Sequence, residues 1–297
     1  MSQKHYVKKP QPNTILTVTE NTELMKFLIS QLKNKNRNNI KSLLANKQVF
    51  VEGDAIKQFN HPLVPGQLVE VRWNRIPEEK KSQGITIVFE DDDIVVIDKQ
   101  AGVLSIATDK EKSQTAYSMI STHVKSREKG NKIFIVHRLD RDTSGLMMFA
   151  KSEKVKTILQ TNWKDIVVER TYLAIVEGQV EKTEGTITSY LRESKAMIVH
   201  SSQKPYGQLA VTHYQLFKSS RDYTMLKVNL ETGRKNQIRV HMQDIGHSVV
   251  GDKKYGSKSN PIGRLGLHSW VLAFKHPISE EPLRFETSVP GKFLGLF

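Results

Sequence analysis

The sequence predicts an α+β protein, with a large mixed, mainly antiparallel sheet, flanking helices and a small N-terminal α/β module. Two observations support this fold class. Residues 14–75 carry two short helical patterns among short alternating stretches, whereas residues 85–297 carry six apolar stretches of strand length with helical patterns between them. Because a charged stretch at 76–84 separates them, the two regions are expected to fold as separate domains, and no internal repeat or low-complexity tract occurs.

The composition indicates a soluble globular protein with a polyanionic partner. Hydrophobic residues make up 38% of the chain and charged residues 26%, and the formal net charge of +14 favours nucleic acid or an acidic membrane surface. No apolar run reaches the roughly 18 residues that span a bilayer, and no signal peptide pattern is found, so we expect a cytoplasmic protein without a membrane partner. The absence of cysteine excludes disulfides, thiolate nucleophiles and cysteine-ligated metal sites.

The first domain is predicted at residues 14–75, after a polar, basic leader at 1–13. Apolar residues recur at helical spacing on both sides of the polar break 34–36, which predicts two short helices. A strand that ends in a tight turn is predicted at 49–54, and alternating apolar residues predict another strand at 69–73. The apolar helix positions are Leu24, Phe27, Leu28 and Leu32, then Ile40, Leu43 and Leu44.

Positive charge is concentrated in this first domain. Residues 1–75 contain 12 Lys and Arg against 5 Asp and Glu. Charge alone does not separate an RNA-binding edge from an ordinary solvated helical face. The pattern across 37–41, 48–53 and 64–69 resembles the small S4-like RNA-binding domain, and this resemblance implies contacts with RNA phosphates. The residues expected to make them are Lys33, Lys35, Arg37 and Lys41.

The second domain is predicted at residues 85–297, after a charged linker at 76–84 that ends in glycine. Helices are expected near 114–125 and 153–163. Strands are predicted at 85–89, 94–97, 133–136, 146–150, 172–176 and 225–230.

The densest group of reactive side chains lies at 136–145, between two apolar strands. A loop held between buried strands keeps its side chains in a fixed geometry. The residue types alone allow a surface ion-pair network around Asp140 and Asp142, or a catalytic carboxylate. They also allow a magnesium-dependent nuclease or phosphotransferase, with this aspartate pair and the acidic residues 91–93 as ligands.

This loop resembles the signature of the RluA-type pseudouridine synthases. The matching residues are the tetrapeptide 137–140 (HRLD) and, two positions later, the tripeptide 143–145 (TSG). The resemblance implies the pseudouridine synthase fold and the isomerisation of uridine to pseudouridine in RNA. It assigns the role of catalytic aspartate to Asp140 and not to Asp142.

Further segments resemble the same family in the same order along the chain. They imply that Tyr172 is the active-site tyrosine and that Arg239 pairs with the catalytic aspartate. Asn236 departs from the pattern, because relatives usually have histidine at that position. The segments are 90–102, 170–178, 231–241 and 246–256.

Several residues near these motifs are expected to assist. Arg141 is predicted to bind a phosphate or to fill the position that the target base vacates. His137, Arg138 and Arg234 are expected to support the site, and no histidine spacing indicates a metal site.

The implied reaction needs no cofactor. The base must leave the helical stack, detach from the sugar, turn and reattach through ring carbon 5. The aspartate either attacks the anomeric carbon or removes a proton from the neighbouring sugar carbon. We expect ribosomal RNA as the partner, with transfer RNA as the alternative target and a monomer as the default state. A catalytically silent ribosome-assembly protein would keep the basic first domain without needing Asp140.

Overall fold

A computed structural model describes residues 13–33, 35–45, 48–73, 84–109, 111, 113–128 and 130–297. The chain divides into two compact units, Met1–Lys80 and Lys81–Phe297. The expected leader and most of the expected linker lie outside the described residues, so both stay predictions.

The first unit is a small α/β fold. Its four-stranded antiparallel sheet has the order β1-β6-β3-β4, and β2 pairs separately with β5. Both helices bury the apolar residues that predicted them, and these residues form one core with the sheet. The elements are β1 (Thr14–Thr17), β2 (Thr22–Glu23), α1 (Leu24–Gln31), α2 (Arg37–Ala45), β3 (Val49–Val51), β4 (Asp54–Ala55), β5 (Pro62–Leu63) and β6 (Leu68–Val71).

The second unit contains one large sheet with helices on both faces. Its strands are β7 (Ile85–Glu90), β8 (Ile94–Lys99), β9 (Phe134–Ile135), β10 (Ser144–Ala150), β11 (Val167–Glu177), β12 (Glu184–Glu193), β13 (Val199–Ser202), β14 (Gln208–Ser219), β15 (Tyr223–Leu230), β16 (Leu267–Lys275) and β17 (Pro282–Glu286). Its helices are α3 (Ala116–Arg127), α4 (Glu153–Thr161), α5 (Trp163–Ile166), α6 (Gln237–Asp244) and α7 (Gly291–Leu294), with a 3-10 turn at Lys253–Tyr255.

The strand order confirms the predicted mixed, mainly antiparallel sheet. The order is β13-β12-β14-β15-β11-β16-β10-β8-β7, with β17 beside β16 and β9 beside β10. Among the described residues, β10 and β16 form the one parallel pair of strands. Alternate residues of β8 point to opposite faces, so Val96 packs with α4 and Ile97 packs with α3.

Gly145 permits the close approach of β10 to β16. Its φ is +110°, and a Cβ atom built there would lie 2.1 Å from the carbonyl oxygen of Ser269. Only glycine combines this backbone conformation with this contact. The start of β10, and therefore the loop before it, is held against the centre of the sheet.

No helix within the described ranges is long and apolar enough to cross a membrane.

Candidate active site

Asp140 lies in the connection between β9 and β10, which we call the Asp140 loop (residues 137–143). The peptide groups on both sides of Asp140 are fixed by the segment that follows β8. The Ser105 hydroxyl donates to the Leu139 carbonyl at 2.6 Å and accepts from the Leu139 N–H at 3.1 Å. The Arg141 carbonyl accepts from the Gly102 N–H at 2.9 Å. These contacts leave the Asp140 backbone little freedom to move.

Lys99 completes this support from inside the protein. Its buried ammonium donates to the carbonyls of Gln100, Val103 and Arg141 at 3.1, 2.8 and 3.1 Å. Burial lowers the pKa of Lys99 to about 8, against the charges of Asp142 and Asp140, which favour the protonated form. A cation therefore lies beneath the loop, bonded only to carbonyl oxygens.

The structure brings Asp140 and Arg239 into contact. Arg239, on α6, directs Nη1 to Oδ2 of Asp140 at 3.2 Å. The Asp140 side chain is 35% exposed and that of Arg239 is 15% exposed. The carboxylate thus has a cation on its buried side and an opening on the other, as a reacting carboxylate needs.

Arg239 is itself fixed by other residues. Its Nε and Nη2 donate to the two carboxylate oxygens of Asp252 at 2.6 and 2.8 Å, and Nη1 donates to Asn236 Oδ1 at 2.9 Å. Its guanidinium carbon lies 4.9 Å from the centre of the Tyr255 ring. Burial disfavours the charge, but Asp252, and to a smaller extent Asp140, raise the pKa of Arg239 above its ordinary value. Arg239 is therefore a permanent cation with a fixed orientation.

Tyr172 lies on β11, opposite Val228 of β15 and Ser269 of β16. Burial raises its pKa, while the charge of Arg170 and a hydrogen bond with Ser269 act in the opposite direction. Asp140 lies near enough for its charge to raise the pKa further. The phenol is therefore protonated near neutral pH, and Tyr172 packs against two apolar clusters of the sheet.

His137 packs at the base of the loop. Its Nε2 accepts the N–H of Met148 at 3.0 Å, and its ring centre lies 5.1 Å from that of Trp163. Burial, helped by the charge of Arg170, lowers the pKa of His137 to about 3. The neutral ring thus acts as a backbone acceptor, a geometry that suits the expected supporting role.

The other arginines predicted around the site are exposed. Arg141 pairs with the neighbouring Asp142 through two contacts of 3.0 Å. Arg234 donates from Nε to the Leu209 carbonyl at 3.0 Å. In the described part of the chain, Arg138 shows no hydrogen bond or ion pair through its guanidinium. Arg138 therefore faces solvent, available to a ligand.

The four predicted phosphate contacts of the first unit are all exposed. Arg37 and Lys41 lie on α2, and Lys33 and Lys35 lie between the helices. Lys35 Nζ also lies 5.1 Å from the centre of the Trp73 ring. Sequence reasoning did not single out Trp73 for such a contact.

The ligands of a magnesium-dependent nuclease are not brought together. Residues 91–93 precede β8, and Asp140 lies beyond the other end of the paired strands β8 and β10. Six residues of strand separate these ends by about 20 Å. Within the described ranges, no group of three or more His, Asp or Glu side chains is placed to hold a metal ion.

Sequence reasoning left several residues of the site without a role. Asp252 and Tyr255 belong to the quoted segment 246–256, and Lys99 belongs to the segment 90–102. No side-chain spacing indicated that they contact Arg239 or the Asp140 loop. Ser105 carried no signal, because a lone serine after a strand is common in loops.

Comparison with known proteins identifies relatives in sequence. Residues 93–244 match the family model described as RNA pseudouridylate synthase. A Bacillus subtilis protein named uncharacterized RNA pseudouridine synthase YjbO is 37% identical over 235 residues, which cover 77% of this chain and 82% of the relative. Ribosomal large subunit pseudouridine synthase D of Pasteurella multocida is 31% identical over 277 residues, which cover 88% of this chain and 85% of the relative.

A solved structure shows the same fold at lower identity. Human RNA pseudouridylate synthase domain containing 4 superimposes with a TM-score of 0.58 at 21% identity, covering 72% of this chain and 91% of that one.

Proposed function

Since this chain belongs to the RNA pseudouridylate synthase family, as an RluA-type enzyme that isomerises uridine in RNA, we propose that Asp140 is its catalytic carboxylate. The observation that carries the proposal is the contact of Asp140 with Arg239, a mostly buried cation that also donates to Asp252 and Asn236. The Asp140 backbone is held on both sides, whereas its side chain stays partly open.

The reaction requires an ionised carboxylate. The bond between the anomeric carbon and the base nitrogen breaks, and a bond to ring carbon 5 forms, with no net gain or loss of atoms. Asp140 either attacks the anomeric carbon or removes the neighbouring sugar proton, and both routes start from the carboxylate. Arg239 donates to this carboxylate and fixes its direction.

Tyr172 is proposed to bind the detached base. Its ring stacks on uracil, and its hydroxyl assists removal of the proton from carbon 5 after reattachment. Because its raised pKa keeps the hydroxyl protonated at neutral pH, Tyr172 would relay the proton to another acceptor. Asp140 is free to accept it once the new bond has formed.

RNA binding is assigned to exposed cations in both units. Flipping the target base costs a few kcal/mol, which contacts inside the pocket and with the backbone offset. Arg141 would exchange Asp142 for a phosphate, or fill the vacated position in the helix. Lys33, Lys35, Arg37 and Lys41 would hold phosphates of structured RNA.

Ribosomal RNA is the proposed substrate. Two lines support it: relatives at 31–32% identity are named ribosomal large subunit pseudouridine synthase D, and the first unit carries exposed cations suited to structured RNA. The test is to incubate the protein, with chelator, with total RNA from a strain that lacks its gene, and to map new pseudouridines by chemical labelling. New sites in ribosomal RNA that are absent with Asp140→Asn are expected. New sites confined to transfer RNA would overturn the assignment of the substrate.

A further inference from the structure

We propose that Asn236 is a positioning residue that sets the orientation of Arg239 towards Asp140, through an amide bridge to Tyr255. The inference rests on the proposed roles of Asp140 and Arg239. It concerns a side chain that departs from the family pattern and that sequence reasoning left without a role.

The bridge acts on the nitrogen that faces Asp140. Arg239 Nη1 donates to Asp140 Oδ2 at 3.2 Å and to Asn236 Oδ1 at 2.9 Å. A guanidinium Nη carries two hydrogens, so these contacts use both. Asp252 binds the other edge of the fork, through Nε and Nη2. Among the described residues, Asn236 and Asp140 are the hydrogen-bond partners of Nη1, so Asn236 holds the hydrogen that is not directed at Asp140.

The chemistry of the partners fixes the orientation of the amide. Arginine only donates, so the amide oxygen of Asn236 must face it, and the amide nitrogen then faces Tyr255. Nδ2 donates to Tyr255 Oη at 2.9 Å, and the same oxygen accepts the N–H of Val199 at 3.1 Å. Asn236 and Tyr255 are both buried. A hydrogen bond between buried groups stabilises a structure more than one exposed to water, and its loss leaves buried polar groups without a partner.

Asn236 has an uncommon backbone conformation, and its side chain does not cap the helix that follows. It immediately precedes α6 with φ 56° and ψ 18°, the left-handed region, and its side chain makes no capping bond to the helix. Asparagine at a helix start ordinarily accepts from the first turn. Here the side chain bonds instead to Arg239 and Tyr255, from a conformation uncommon for side-chain-bearing residues.

An amide supplies one acceptor and one donor without titrating near neutral pH. Neutral imidazole offers the same pair, but imidazolium has no acceptor for Arg239. Asn236→His is therefore expected to work at mildly alkaline pH and to lose activity as the ring is protonated, near its ordinary pKa of about 6.5 or below it. Asn236→Gly keeps the left-handed backbone and removes both contacts.

The test measures kcat and KM of the full chain on an RNA that it modifies, across pH. Asn236→Gly should lower kcat by roughly tenfold with little change in KM, as expected for the loss of a hydrogen bond to a charged group. Asn236→His should show an acid limb that the wild type lacks. Glu280→Gly is the matched control, because Glu280 also has a positive φ of 62° and lies on an exposed turn; it should leave both constants unchanged.

Two results would overturn the inference: wild-type kcat in folded Asn236→Gly, or an Asn236→His variant whose pH profile equals that of the wild type. The Asn236→His result also decides the matter if Asn236→Gly fails to fold. Asp140→Asn is measured in parallel. If Asp140→Asn is inactive while both Asn236 variants behave as wild type, only this inference fails, whereas an active Asp140→Asn removes the proposed function itself.

Discussion

The guanidinium of Arg239 donates hydrogen bonds to two carboxylates that differ in solvent exposure. Asp252 is 1% exposed and holds Arg239 through two hydrogen bonds, while Asp140 is 35% exposed and shares only one nitrogen. The buried partner supplies the fixed geometry, and the open partner keeps lone pairs free for chemistry. Resemblance to the family predicted the Asp140–Arg239 pair across 99 residues. It did not predict Asp252, because Asp252 lies in a segment for which no contact was expected.

Replacing Asp252 should affect both folding and activity. Asp252→Asn keeps one acceptor but leaves Arg239 without its buried counter-charge, so a loss of about 3 kcal/mol in unfolding free energy is expected. Activity should fall as well, because Arg239 is no longer held on that edge. Urea denaturation and initial rates measure the two effects.

Asp244→Asn provides the comparison for this variant. Asp244 is an exposed aspartate of α6 that accepts from Ser201 at 2.7 Å. It should change the unfolding free energy by less than about 1 kcal/mol. Equal effects of the two variants would show that Asp252 has no special role.

The titration of Lys99 should raise the stability of the protein and lower its activity over the same pH range. Its pKa is about 8 in the folded chain against 10.5 ordinarily, so between these values the unfolded chain binds more protons. This lysine therefore adds stability as pH rises from 8 to 10.5. Activity should fall over the same range, because a neutral amine has only two N–H groups for three carbonyls.

Denaturation and rate profiles of the wild type and Lys99→Met test this behaviour. The variant should lack the rise in unfolding free energy between about pH 8 and 10 that Lys99 contributes. A rise of the same size in both proteins would contradict the assignment.

Among the structural elements, the segment that follows β8 holds the Asp140 loop through hydrogen bonds to the peptide groups on both sides of Asp140. Apolar patterns predicted α1 to α4 and strands β7 to β11 and β15, since buried strands and amphipathic helices leave a strong periodic signal. They did not predict β12, in which exposed polar residues alternate with an inner face that includes Gly185 and Ser189 and therefore gives a weak apolar signal. Nor did they include β16: its buried polar residues His268 and Ser269 interrupt the apolar pattern at the start of the strand, although residues 270–274 form an apolar run.

Replacing Ser105 tests whether the segment that follows β8 holds the Asp140 loop in place. Ser105→Ala removes the hydroxyl that serves both the N–H and the carbonyl of Leu139, so about 1–3 kcal/mol of stability should be lost. Amide exchange at Leu139 should become faster, and kcat should fall. Ser126→Ala, which removes an exposed hydroxyl that bonds within α3, should change none of these. An unchanged amide exchange rate at Leu139 in Ser105→Ala would show that the Ser105 hydroxyl does not hold the loop.

At the scale of the whole molecule, the chain combines a catalytic unit with a small unit whose exposed cations suit phosphates. The charge excess pointed to a polyanion, but only the motifs distinguished an enzyme from a binding protein. Apolar patterns on either side of a charged stretch predicted two regions that fold separately. Their individual folds required the pairing of strands, such as β10 with β16, that are distant in sequence.

Neutralising the four cations of the first unit should weaken RNA binding without altering the chemical step. Each lost phosphate contact should reduce the slope of log affinity against log salt by about one. Binding titrations across salt concentrations compare two variants of equal net charge. In the first, four residues are changed to Gln: Lys33, Lys35, Arg37 and Lys41. The control replaces the exposed residues Lys125, Lys154, Lys164 and Lys182 of the second unit. Equal salt slopes for the two variants would contradict the assigned RNA surface.

The most direct test of the account is the single-turnover release of tritium from RNA labelled at carbon 5 of uridine, in chelator, by the wild type and by Asp140→Asn. Forming the new bond at carbon 5 expels the label into water, so release counts completed isomerisations. Release is expected from the wild type and none above background from Asp140→Asn, although the variant still binds the RNA. Release at the wild-type rate by Asp140→Asn would contradict the claim that Asp140 is the catalytic carboxylate.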